Sequence, residues 1–319
     1  MIMMDNMLKK KTTRLPTVIV PYMGPGVDRG FQDVFVYLRP ETNGIKIESI
    51  LMRALRSNTF YRESTSIVYL ANIPGDFIVG NKLVEQHYST KIHFIKKGKR
   101  CFSPYMRRMF ENYFDVPFNE ARIVGAFEAL KILDIGWNEL FNLRIPENDM
   151  LLINGQTIKK IGDLYVINYN IPALLHKNNR KTDIAVMIFR TSLDGNNFFK
   201  MIKVLGKALV EEGVLDISKP MSHAFHYSKG PFEQILDAVG YLYNPDGRHV
   251  PYRKICFYNY LFNHNVTNSE IMGIIRHPVM KFSTIMEIIL EDDIYSFTTG
   301  DSYEEALSKF RSIVAQYLI

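Results

Sequence analysis

Short β-rich runs alternate with runs of helical period through the first two thirds of this chain, and that alternation restricts the fold more than any other feature. "TVIVPYM", "FQDVFVYLR", "STSIVYLANIPG" and "TDIAVMIFRTS" are dense in Val, Ile, Phe and Tyr and are bounded by Gly, Pro, Asn or Asp, so they read as strands. Between them lie amphipathic stretches. In "IKIESILMRALRS", Ile47, Ile50, Leu51, Ala54 and Leu55 fall at helical spacing. "DFIVGNKLVEQHY" offers Asp76 as an N-cap, and "SPYMRRMFENYF" opens on Ser103 and Pro104. "NNFFKMIKVLGKALVEEG" is a helix stopped by Gly213. "NEARIVGAFEALKIL" and "GWNELFNL" also read as helical. "TKIHFIKKGKRCFS" alternates across a glycine and reads as a hairpin. "DMLLINGQTIKKIGDLYVINYNIP" reads as two or three strands turned at Asn154-Gly155 and Gly162-Asp163. Strands alternating with helices predict an α/β layer with a mixed sheet over residues 15–217, with α+β as the alternative.

The texture changes at "DISKP", near 217–220. Beyond it "KGPFEQILDAVGYLY", "YRKICFYNYLFNH", "TNSEIMGIIRH" and "SYEEALSKFRSIVAQYL" are helical in period, and "FSTIMEIILEDDIYSFT" is ambiguous. Residues 218–319 are therefore expected to form a mainly helical part. Residues 1–14, polar and basic, are expected to be an arm. "GPGVDRG" has the glycines of a dinucleotide loop, but a strand follows it instead of a helix, so it reads as a turn.

With 47% apolar and 23% charged residues in 319, a packed core is affordable without staples. Two cysteines, Cys101 and Cys256, cannot build a disulfide framework. No stretch approaches a membrane span, and "MIMMDNMLKKKTTRLP" lacks the apolar centre of a secretory signal. The expectation is a soluble, cytoplasmic protein with no membrane contact. The net charge of +6 gathers in "KKKTTR", "KKGKR", "RR", "HKNNRK" and "RHVPYRK". Such clusters suit phosphates, nucleic acid or acidic surfaces. Tyr241, Tyr243, Tyr252, Tyr258 and Tyr260, set among Arg248, Arg253 and Lys254, could stack bases, with Lys97, Lys99, Arg100, Arg107 and Arg108 extending the surface. At helical spacing the same tyrosines could equally be core.

One pattern occurs twice. "VFVYLRPETNG" and "AVMIFRTSLDG" are each an apolar run, an arginine, four residues, a glycine and then an amphipathic stretch. Arg39 matches Arg190, and Gly44 matches Gly195. Read as two βα units of one sheet, both arginines would lie at the carboxyl ends of strands, where α/β sheets bind ligands. Guanidinium groups and helix N-termini both favour phosphate. Lys177, Arg180 and Lys181, in "HKNNRK", and Lys229, ahead of the helix "GPFEQIL", are further candidates for a phosphorylated ligand. The alternative is that the repeat is ordinary α/β grammar.

"FVYLRPETNGIKIESIL" and, more distantly, "KLVEQHY" (82–88) resemble the opening of nucleoside diphosphate kinases, where a strand ends in Lys-Pro-Asp or Lys-Pro-Glu before a glycine and a helix. The resemblance covers about the first quarter of the chain. It implies ferredoxin-like βαβ units, Arg39 in the place of a phosphate-binding lysine, and His176 as the candidate phosphorylated histidine, with Mg2+ accompanying the nucleotide. The Gly-Ser-Asp that follows the family's histidine is absent after His176.

Other constellations are incomplete. His223 and His226 could share a helix face, but two histidines alone make no metal site, so no metal is expected. Cys101 sits among cations that would lower a thiol pKa. No P-loop, nucleophile elbow or H-E-x-x-H occurs. The expectation is a binder of a small phosphorylated ligand, such as a nucleotide, with no required cofactor. A protein- or nucleic-acid-interaction protein and a histidine phosphotransferase stand as alternatives, and oligomeric state is left open.

Overall fold

The computed structural model describes residues 13–26, 30–284, 286 and 288–318. The expected basic arm, 1–14, falls outside these except for Thr13 and Arg14. Arg14 is pinned to the body, pairing with Asp76 at 3.0 Å and Asp183 at 2.9 Å.

From the start the chain forms β1 (Thr17–Val20), β2 (Gln32–Leu38), α1 (Ile45–Ser57), α2 (Thr59–Ser64) and β3 (Thr65–Ile73). It then leaves the main sheet for about a hundred residues: α3 (Gly75–Gly80), α4 (Leu83–His87), α5 (Ser89–Lys97), α6 (Pro104–Phe114), β4 (Arg122–Gly125), α7 (Ala126–Leu133), α8 (Trp137–Asn142), β5 (Met150–Ile153), β6 (Gln156–Ile161), β7 (Leu164–Ile167) and α9 (Ile171–Lys177). It returns as β8 (Ile184–Thr191), α10 (Gly195–Glu211) and β9 (Phe225–Tyr227). The remainder is α11 (Pro231–Tyr241), α12 (Cys256–Asn263), α13 (Asn268–Arg276), β10 (Val279–Ser283), β11 (Ile289–Asp293), α14 (Ile294–Phe297), α15 (Tyr303–Arg311) and β12 (Ile313–Gln316).

The fold is α/β in content, and its central sheet has the order β1-β3-β8-β2-β9 with every neighbouring pair antiparallel. β2 and β3 therefore run the same way on either side of β8, joined through α1. β8 and β9 do the same on either side of β2, joined through α10. These are two interleaved split β-α-β units. Alternation along the strands sends Val34, Val36 and Leu38 to one face, where α1 and α10 cover them with Leu51, Leu55, Met201 and Leu205. Phe35 and Tyr37 point to the other face, under Phe232, Ile235 and Tyr258 from α11 and α12. Both faces are covered, which is why β2 and β8 are buried almost throughout. A second sheet, β4-β7-β6-β5, belongs to the segment inserted between β3 and β8, and a third, β11-β10-β12, lies near the carboxyl end.

Three expectations about elements are corrected. Residues 89–97 are helix α5, and Gly98 (φ 57°) ends that helix instead of turning a hairpin. The short run "KIHFIKK" satisfies either period, and packing of Phe94 and Ile95 into adjoining cores selects the helix. Arg122–Gly125 is strand β4, paired in parallel with β7, inside what reads as one helix. The last expected helix stops at Arg311 and gives way to β12. Among the described residues, the part after 217 carries five α-helices and the short strands β9 to β12. It supplies β9 to the central sheet, and one core joins Phe35 and Val186 to Phe232, Tyr258 and Met280 across that position.

Candidate functional site

Antiparallel pairing decides what the repeated arginines can do. Asp33, near the start of β2, is the register partner of Arg190, whereas Arg39 lies just past the end of β2. Six strand residues at about 3.4 Å each put the two positions roughly 20 Å apart. The two units repeat, but the fold's own symmetry sends equivalent positions to opposite ends of the sheet. The expected joint site at Arg39 and Arg190 is therefore not formed.

Arg190 is committed elsewhere. Its Nε donates to Asp33 Oδ1 at 2.7 Å and its Nη2 to Oδ2 at 3.0 Å, a bidentate pair. Nη2 also reaches the Gly24 carbonyl at 2.8 Å. Tyr22 donates to the same carboxylate at 2.6 Å. This is a satisfied, largely buried ion pair that ties β8 to β2 and to the 22–24 segment.

Arg39 is in the opposite condition. Its side chain is partly buried, donates from Nε to the Ser222 carbonyl at 3.1 Å and lies 5.6 Å from the Tyr37 ring. Tyr88, Tyr37 and Tyr241 are its electrostatic neighbours. Among the described residues no carboxylate lies within ion-pairing distance of it. The Arg39 backbone N–H is held by Ala224 at 2.9 Å, and Asn43 Oδ1 accepts from the Ala185 N–H at 2.7 Å, so the turn after β2 is fixed on both sides.

Beyond Arg39 opens a cleft of about 710 Å3, formed by the turn after β2, α8, the end of α9 and the segment after α10. That is within the usual range of small-molecule sites. Lys177, Lys219 and His223 line it, with Asn138, Asn142, Glu41 and Asp216. Lys177 pairs with Glu41 and lies 4.6 Å from the Phe141 ring, which in turn packs on His223 at 4.9 Å. Lys219 makes no ion pair among the described residues. Partial burial holds the His223 pKa below its ordinary value, and the positive charges of Lys177, Lys219 and Arg39 act the same way against Glu41.

The other expected residues fall as follows. Arg180 and Lys181 are exposed in the loop before β8, at the Arg39 end of the sheet but outside the cleft lining. His176 is exposed and stacks on Trp137 at 4.3 Å. Lys229 precedes α11, but that helix start is closed. The Lys229 N–H is taken by Glu233 at 2.7 Å, its carbonyl accepts from Gly300 N–H at 2.8 Å, and a Cβ at Gly230 would meet the Thr298 carbonyl at 2.1 Å. The adjoining hollow has room for about 20 Å3, one water rather than a phosphate. Ser228 does not cap α11; its hydroxyl accepts from the Phe35 N–H at 2.9 Å. The Cys101 thiol is pushed up by burial, against the opposing pull of Lys97. Tyr241, Tyr243 and Tyr258 are core residues and cannot stack bases.

Behind Arg39 lies a cluster that the sequence did not single out. On β2 and β9, Tyr37 and His226 are register partners, and their rings stack at 4.4 Å. His226 Nε2 lies 3.1 Å from Asp237 Oδ2 on α11, and His87 Nε2, at the end of α4, lies 3.6 Å from Asp237 Oδ1. Glu233 stands one turn before Asp237, 3.9 Å from His226. Asp237 is fully buried and the His87 side chain is only 3% exposed. Burial lowers the His87 pKa to about 4 and the His226 pKa to about 3, and it raises Asp237 to about 7. Tyr37 Oη, His87 Nδ1 and Asp237 Oδ1 are buried without a hydrogen-bond partner. The one sequence signal available was Glu233 and Asp237, four apart on the apolar face of a helix between Phe232 and Tyr241. His226 and His223, expected to share a helix face, instead point to different places, one into this cluster and one into the cleft. Among the described residues no group of three or more His, Cys, Asp or Glu side chains is arranged to hold a metal ion.

No helix among the described residues is long and apolar enough to cross a membrane. In comparisons with known proteins, no family model, no curated protein and no solved structure matches this chain.

Proposed function

We propose that the protein binds a small phosphorylated ligand, such as a nucleotide, in the cleft at the end of β2, with Lys177, Lys219 and His223 lining the place of its anionic group and Arg39 set behind His223. The observation that supports this reading is the contrast between the twin arginines. Arg190 has a bidentate carboxylate, whereas Arg39, also partly buried, has none within 4 Å among the described residues. An uncompensated guanidinium beside a cleft is stabilised by an anion that enters it. Arg190 and Lys229 drop out of the proposed site, and Arg180 and Lys181 act at most through their field.

A thermal-shift screen of nucleotides, sugar phosphates and pyrophosphate tests the reading. A ligand present at a hundredfold its Kd adds about 2.7 kcal/mol of stability. The expected result is a shift lost in Arg39→Ala and Lys219→Ala and kept in Arg190→Lys. Phosphate transfer from a nucleoside triphosphate that needs Mg2+ and is abolished by His176→Ala would favour the phosphotransferase instead. No shift with any phosphorylated compound would overturn the binding reading and leave an interaction protein.

A further inference from the structure

Arg39 faces two ways. On one side it bonds the Ser222 carbonyl, next to the cleft residue His223. On the other it lies 5.6 Å from the Tyr37 ring, whose opposite neighbour is His226, stacked at 4.4 Å. One ring thus separates Arg39, which sits behind the cleft residue His223, from a buried His–Asp–His cluster. Three polar atoms of that cluster have no partner, so its hydrogen bonding is not locked in one arrangement.

We propose that anion binding in the cleft is coupled through Arg39 to proton uptake by the His87–Asp237–His226 cluster, so that the ligand is held more tightly in acid. The inference rests on the cleft being the ligand site. The physical cause is direct. With the cleft empty, the Arg39 charge favours the ionised Asp237 carboxylate and opposes a proton on either histidine. An anion beside Arg39 cancels that field. All three groups then gain protons more readily, and by reciprocity protonation strengthens anion binding. Water, which would screen this coupling, has little access, since His226 is 13% exposed and Asp237 not at all.

The groups that face the cluster set the direction. From β2 come Tyr37 and Arg39. The α4–α5 junction brings His87, Tyr88 and Lys91. From α11 and the two residues before it come Glu233, Asp237, Tyr241 and Lys229. Asp293 and Tyr295, around the start of α14, complete the ring. Lys229 and Lys91 add to the positive field, but of the three only Arg39 also acts on the cleft residue His223, so the Arg39 contribution is the one that changes on binding. Near neutral pH the responding group is Asp237, because both histidines hold no proton until stronger acid.

Calorimetric titration with inorganic sulfate provides the test, because sulfate stays doubly charged from pH 5 to 8 and adds no titration of its own. The intact chain is measured at pH 7 in two buffers of different ionisation enthalpy, and its affinity is measured from pH 8 to 6. The expected result is a buffer-dependent heat showing uptake of part of a proton, and a Kd that falls with pH by less than the roughly tenfold per unit that one full proton would give. Asp237→Asn should reduce both effects to the share that His223, in the cleft itself, contributes, and effects unchanged in that variant would overturn the coupling. Binding with equal heats and a pH-independent Kd in the intact chain would overturn the coupling while leaving the ligand site in place. Failure of sulfate, pyrophosphate and nucleotides alike to bind would overturn the site itself. Should Asp237→Asn not fold, the Asp237 carboxyl carbon signal of the intact chain decides by NMR between pH 6 and 8. Its titration midpoint rises with saturating sulfate if the coupling exists, and an unmoved midpoint removes it.

Discussion

At the residue scale, the same side chain in the same local pattern has two fates. Arg190 and Arg39 each end an apolar run, yet one is neutralised and the other is not. Removing the Asp33 partner should show how much that neutralisation supports the fold. Asp33 is 4% and Arg190 16% exposed in their side chains. Asp33→Ala leaves a guanidinium largely buried without a carboxylate, and breaking such a pair costs about 3–5 kcal/mol. Urea denaturation should register that loss, while Arg39→Ala, with no ion pair to break, should cost clearly less. Equal losses in the two variants would contradict the distinction. The expected arginine pair was legible as two sequence positions, but their partners were not. Asp33 lies six residues before Arg39, and nothing in the local sequence joins it to residue 190.

At the element scale, caps hold helix starts where they are local, but Asp76, read as an N-cap, lies inside α3, whose N-cap is Pro74. Asp194 accepts from the Asn197 N–H at 2.8 Å and Ser103 from the Met106 N–H at 3.1 Å. Thr267 and Ser302 each form a reciprocal capping box, with Glu270 and Glu305. Ser302→Ala should destabilise the chain by about 1 kcal/mol. A loss near zero in thermal or urea unfolding would mean that α15 is held by its packing alone. Ser228 shows the limit of the same reasoning. It stands where a cap would, yet its hydroxyl is used by Phe35, 193 residues away. Element identity failed where a short apolar run fits two periods. Residues 89–97 became a helix because their apolar side chains meet two cores.

At the scale of the whole molecule, the core crosses residue 217 and should unfold with it. A chain ending at 217 lacks β9, which borders β2, and α11 and α12, which cover one face of the sheet. It should not give a dispersed NMR spectrum, and a folded 1–217 fragment would show that the two parts have separate cores. The buried cluster predicts a pH dependence of stability. His87 and His226 have folded pKa values below the unfolded value of 6.5, so the stability they allow is complete above about pH 6.5 and is lost as pH falls through about 4 to 3. Asp237 acts in the opposite sense. Its folded pKa of about 7 lies above the unfolded 3.8, so its contribution is full below 3.8 and fades as pH rises through 7. Two histidines against one aspartate leave a net loss in acid. His226→Gln should flatten the urea midpoint between pH 6.5 and 4, by up to about 1.4 kcal/mol per pH unit for one proton. An unchanged slope in that variant would mean that His226 is not buried neutral.

The sequence by itself determined the strand–turn–helix units, the start of α6 at Ser103 and Pro104, and the cationic composition of the segment around Lys177. Each of these follows from period, capping or turn chemistry within a few residues. Only the tertiary structure decided that β2 and β8 run antiparallel, and that choice separated Arg39 from Arg190. It also brought His87, His226 and Asp237 into contact across the sheet and α11. The reason is physical. Periodicity states which side of an element is apolar, but not which other element meets that side or in which direction. Pairing direction, burial and the resulting pKa shifts arise from contacts between residues far apart in the chain, and no local pattern carries them.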